Sequence, residues 1–193
     1  MGARAYTDAE ATFGEASAEV KKLLKAGQSG KKPTSIIADD MPTNDLLSQV
    51  YLGRAWSYAE RGANLQQAQD LVRRATWPIS QLDVLRQPIF TGTQHHCLGL
   101  VRLREGATLE AVQELETAVK MQPSFCCSYF RLAQAYLARA DSDLPGRAQL
   151  LTKARERCLD ARQADLREEH KEDIAALLRQ LDALQALPAA KAA

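Results

Sequence analysis

The chain of 193 residues has little of what usually marks chemistry or a membrane. No apolar run approaches the roughly 18 residues that a membrane span needs. Charge of neither sign dominates: 25 Lys and Arg against 24 Asp and Glu leave a net charge of +1. Such a balance supplies no field to draw in nucleic acid or an anionic membrane. There is no Gly-rich phosphate loop, no G-x-S-x-G elbow and no Ser/His/Asp order, so no enzyme and no cofactor are expected. No segment alternates like a β-strand, which points to an all-α fold.

Cysteine is also scarce. Cys97, Cys126, Cys127 and Cys158 form no C-x-x-C pair, and all fall in predicted helices. They read as small buried residues of a reducing compartment, not as a disulfide framework. His95, His96, Cys97, Cys126 and Cys127 lie on helices predicted to be neighbours. Adjacent side chains on a helix diverge by about 100°, so two or three at most could converge, and no metal is expected. His170 is assigned to a solvated, charged helix. The N-terminus lacks the apolar core of a signal peptide, and Asp8, Glu10 and Glu15 argue against a transit sequence. The expected location is cytoplasmic, with an organelle after presequence removal as the alternative.

What the sequence does have is helical periodicity. A helix is predicted over 7–26, with Phe13, Ala16, Val20 and Leu23 on one face. A loop over 28–42 follows, in which Ile36 and Ile37 are expected to seal the end of the scaffold. Thr43-Asn44-Asp45 reads as a cap for a helix over 45–61. Gly62 breaks it, and a second helix over 65–76 is expected to stop before Trp77-Pro78. Residues 77–91 read as an insert. Helices over 93–104 and 109–121 form a central pair. Ser124 is expected to cap a helix over 125–140, and helices over 147–164 and 168–187 complete the order. The tail 188–193 is expected to fray.

The stretch 98–123 carries the clearest punctuation. Gly99, Gly106, Ala111, Ala118 and Pro123 stand at intervals of seven, five, seven and five residues. His95, Leu98, Gly99 and Arg102 recur 34 residues later as Tyr129, Leu132, Ala133 and Tyr136. This pattern resembles the tetratricopeptide repeat, a helix–turn–helix unit of 34 residues. Three irregular repeats are assigned, over 43–76, 92–123 and 124–164. The step from Ala75 to Ala118 is 43 residues, nine more than the period. The resemblance implies a right-handed superhelical stack with an N-terminal helix before it and a polar-faced capping helix after it.

In that family the first helix of each pair lines a concave groove that holds a peptide or a partner's helix. Carried over by position, the candidate lining is Gln49, Leu52 and Trp56 from the first pair. His96, Leu100, Leu103 and Arg104 come from the second, and Cys127, Phe130, Arg131, Gln134 and Leu137 from the third. One branch of the family clamps the C-terminal carboxylate of chaperones with Lys and Asn at fixed groove positions. The matching places here hold Leu52, Trp56, His96 and Leu100, so that clamp is absent. An apolar, aromatic lining suits an amphipathic helix or an extended apolar segment. The resemblance therefore implies a non-catalytic protein-binding scaffold, either an adaptor or a structural subunit. Trp56 has a second reading, packed beneath the N-terminal helix or the Ile36-Ile37 loop. An RNA-binding helical repeat is the alternative function, although it would need a basic or amide-lined surface that this chain does not provide.

Overall fold

The computed structural model describes residues 41–186, together with Glu15 and Ala18, which are helical and exposed. The remainder of the helix expected over 7–26, the loop as far as residue 40 and the tail 188–193 lie outside the described residues. Seven helices are described: α1 (Met41–Arg61), α2 (Leu65–Ser80), α3 (Gln87–Arg104), α4 (Thr108–Met121), α5 (Cys126–Ser142), α6 (Arg147–Ala164) and α7 (Lys171–Ala186). The described residues contain no strand. None of these helices is long and apolar enough to cross a membrane.

The helices pair as hairpins, α1 with α2, α3 with α4 and α5 with α6, and each hairpin packs on the next. The first helices of successive hairpins adjoin, α1 to α3 and α3 to α5, while α7 packs on α6. One core joins α1, α2 and α3 around Ala55, Ala68, Val72, Cys97 and Leu100. A larger core runs from α4 to α7 around Leu115, Leu132, Ala154 and Ile174. Ala111, Ala118 and Ala133 have no exposed surface, as expected of small residues where helices cross closely. On α7, Ile174, Leu177 and Leu181 are buried while Lys171, Glu172, Asp173, Arg179 and Asp182 face out.

The first two hairpins turn in the same way. Ala63 N–H donates to the Tyr58 carbonyl at 3.1 Å and Gly62 N–H to that of Ala59 at 3.1 Å. Ala107 N–H donates to Arg102 at 2.9 Å and Gly106 N–H to Leu103 at 3.2 Å. Both are Schellman closures, and both need a left-handed residue, Gly62 at φ 64° and Gly106 at φ 77°. The third hairpin differs: Asp143 Oδ1 accepts the Gly146 N–H at 3.1 Å in a longer connection.

Several expected boundaries move. Helix α1 begins at Met41, before the expected cap, and places the fully buried Asn44 inside it. Proline near a first helical turn leaves no donor wasted, so Pro42 is compatible with that earlier start. Helix α2 continues through Trp77-Pro78 to Ser80. Pro78 withholds one N–H from the carbonyl four residues earlier, but the helix ends two residues later, and Pro78 and Ile79 are buried. Helix α3 starts at Gln87, with Pro88 in its first turn. The extra residues thus lengthen α2 and α3 instead of forming a separate element, and only 81–86 connect them. Asp83 Oδ1 holds that connection by accepting the N–H groups of Leu85 and Arg86, both at 2.9 Å. Ser124 makes no cap; α5 begins at Cys126 after an extended Phe125.

Candidate functional site

The face shared by α1, α3 and α5 gathers aromatic and charged groups from all three hairpins. Trp56 lies edge-on to His96, with ring centroids 4.9 Å apart, and to Phe125 at 5.4 Å. His96 and Phe125 close the triangle at 5.2 Å. Edge-to-face contacts of this kind are favourable because the positive ring edge meets the negative face.

Glu60 joins this cluster to the charged groups. Its Oε1 accepts the Trp56 indole N–H at 3.1 Å. This is a contact between i and i+4 on one helix face. The other oxygen accepts Arg131 Nη2 from α5. Arg131 Nη1 donates to Gln134 Oε1 at 2.8 Å. Arg104 of α3 donates to the carbonyls of Glu60 at 2.7 Å and Ala59 at 3.3 Å. A cation on the last carbonyls of α1 also complements the negative end of the helix dipole. The Glu60 side chain is only 7% exposed and that of Arg131 20%, so this pair is shielded from water.

His96 is fully buried. Its Nδ1 is 3.0 Å from Ser128 Oγ, and its Nε2 has no hydrogen-bond partner among the described residues. Burial, reinforced by the charge of Arg131, depresses its pKa to about 3, so the ring is neutral near pH 7. Burial pushes the Cys97 thiol up, with Glu60 adding to the effect, and Cys97 Sγ sits 3.7 Å from the Leu52 carbonyl. The Cys127 thiol is pushed up to about 12, chiefly by burial. Held as thiols, these sulfurs are poor nucleophiles.

Of the residues selected from the sequence, Trp56, His96, Arg104, Arg131 and Gln134 come together around Glu60. Leu52, Leu100 and Phe130 are buried in the chain's own core and, like His96, offer almost no open surface. The reason is geometric: the stripe of the first helices expected to line a groove also makes the contact between neighbouring hairpins. Gln49 stands apart, exposed and donating to Asp45 at 2.8 Å. Leu103 and Leu137 are half-buried at the edge of the larger core. Cys127 approaches His170 at 3.2 Å. His170 does not lie on a solvated helix face; it is half-buried in the turn before α7 and stacks over Phe130.

Glu60, Phe125 and Ser128 were not among the residues selected from the sequence. The i+4 relation of Glu60 to Trp56 is the one local signal that could have marked it. A scan against protein-family models finds no match to the chain, and a search of curated proteins finds none either.

Proposed function

We propose that this chain is a non-catalytic protein-binding scaffold. In this reading it is a superhelical stack of three tetratricopeptide-like hairpins, holding a partner helix or extended apolar segment against the face of α1, α3 and α5. The observation that supports this most is the linked cluster of Trp56, Glu60, Arg104, Arg131 and Gln134, which draws on all three first helices. Its polar groups are already satisfied by one another, which suits a preformed recognition surface better than a reaction centre. Half-buried Leu103 and Leu137, on two of the same first helices, supply apolar area at the edge of the larger core, and Trp and Arg are the residue types that most often anchor interfaces.

Phe130 is a poor probe of this face because it is buried. Trp56→Ala combined with Leu137→Asp is the better test. The variant should lose the partners that the wild type captures while keeping its helical circular-dichroism spectrum. Retention of the same partners would remove the reading.

A second version, a permanent subunit of a larger assembly, is favoured by one feature of the insert. Val84 and Leu85 are 81% and 80% exposed, and Trp77 and Ile89 are about half exposed. Exposed apolar side chains at such density mark contact sites more often than free surface. In that case the chain expressed alone should aggregate, and Val84→Asp with Leu85→Asp should relieve it.

A further inference from the structure

We propose that Cys126, Cys127 and His170 form a binding site for a thiophilic metal ion, zinc foremost. The Cys126 and Cys127 sulfurs are 3.9 Å apart, and Cys127 Sγ is 3.2 Å from His170 Nε2. All three ligand atoms lie within 4.8 Å of one another. Zinc binds sulfur at about 2.3 Å and imidazole nitrogen at about 2.05 Å. Tetrahedral angles then place two sulfurs about 3.8 Å apart and sulfur and nitrogen about 3.5 Å apart. The Cys126–Cys127 and Cys127–His170 separations are within a few tenths of an ångström of these values, and Cys126 Sγ lies no more than 4.8 Å from His170 Nε2. The two cysteines are consecutive, yet rotation about χ1 brings their thiols together at the first turn of α5.

The third ligand is held in position. Asp165 accepts the His170 N–H at 2.9 Å through Oδ2 and the Glu169 N–H at 3.1 Å through Oδ1. Between them Glu168 adopts a left-handed φ of 55°, uncommon for a residue with a side chain. The His170 ring lies nearly parallel to Phe130, with centroids 6.4 Å apart. Backbone bonds and stacking therefore fix the imidazole with Nε2 toward the sulfurs. All three ligands are half-buried, so an ion can enter from solvent and a water can fill a fourth position.

The donor set selects the class of ion. Two sulfurs and one imidazole suit zinc or cuprous copper, while magnesium and calcium prefer oxygen. Among the described residues the other two cysteines offer no comparable set: Cys97 Sγ faces the Leu52 carbonyl and Cys158 Sγ the Ile174 carbonyl. On binding a divalent ion, the two thiols lose their protons to solvent as two sulfur–metal bonds form, and the imidazole joins through its lone pair. The ion would tie the start of α5 to the turn before α7, across 43 residues of chain. It would stabilise the folded state by mass action.

The test is titration of the full chain, reduced and metal-free, first with Co²⁺ and then with Zn²⁺. The expected result is one ion per chain, thiolate-to-cobalt charge-transfer absorption and visible bands of tetrahedral cobalt, all bleached by zinc. About two protons should be released per ion. Cys126→Ser, Cys127→Ser and His170→Ala should each weaken binding by at least about tenfold. Cys158→Ala should leave it unchanged. Absence of charge-transfer absorption at one equivalent of cobalt on the unmutated chain would overturn the proposal, whatever the variants do. So would zinc affinity unaffected by His170→Ala.

Discussion

Arg131 on α5 donates to Glu60 in the last turn of α1, 71 residues earlier, so the first and third hairpins are linked across α3. Because both side chains are largely shielded, removing one partner strands the other away from water. Arg131→Met should therefore destabilise the fold by about 1–3 kcal/mol. The double change Glu60→Gln with Arg131→Met should cost clearly less than the sum of the two single changes. Urea denaturation of the four proteins measures this. Strict additivity would show that the pair contributes nothing.

Two glycines should fail for different reasons. A Cβ on Gly99 would lie 2.4 Å from Leu115 Cγ in the buried crossing of α3 and α4. Gly99→Ala should cost on the order of 1–3 kcal/mol through overpacking. Leu115→Ala should recover part of that loss when combined with it. Gly106 has nothing within 4 Å of such an atom, but its φ is +77°. Gly106→Ala should thus cost about 1–2 kcal/mol from backbone strain alone. No packing substitution should rescue it. Thermal melting of the single and double variants separates the two mechanisms.

Acid should destabilise the protein through His96. Its folded-state pKa is lowered from 6.5 to about 3, so between those values the unfolded chain binds the extra proton. Stability contributed by the neutral ring is complete above about pH 6.5 and declines as the pH falls toward 3. The slope reaches about 1.4 kcal/mol per pH unit for one proton. His96→Leu should reduce the slope of unfolding free energy between pH 6 and 4 by about that amount. Equal slopes for the two proteins would contradict the assignment.

Local signals carried much of the architecture. The left-handed turns at Gly62 and Gly106 could be read because few other residues tolerate that backbone. Helix α6 spans the range that periodicity predicts, and the alanines that punctuate the repeat are fully buried. Signals that depend on tertiary context misled. Pro78 was read as a stop, but its buried ring lets the helix run two residues past it. Asn44 and Ser124 have the chemistry of caps, yet the helices begin elsewhere. Leu52, Leu100 and Phe130 fit the groove positions, but helical spacing cannot separate a lining residue from one packed between hairpins. The approach of His170 to Cys127 spans 43 residues and joins a repeat helix to a turn beyond the assigned repeats, so no period could reveal it.

The central claim is that the face of α1, α3 and α5 is a protein-binding surface. The most direct measurement is affinity purification from cells with the wild type and with Trp56→Ala plus Leu137→Asp, followed by titration of the purified chain with the captured partner. The account predicts a partner lost from the variant and a dissociation constant raised at least about tenfold, equivalent to about 1.4 kcal/mol, with the helical circular-dichroism spectrum retained. An unchanged partner set and an unchanged dissociation constant would contradict it.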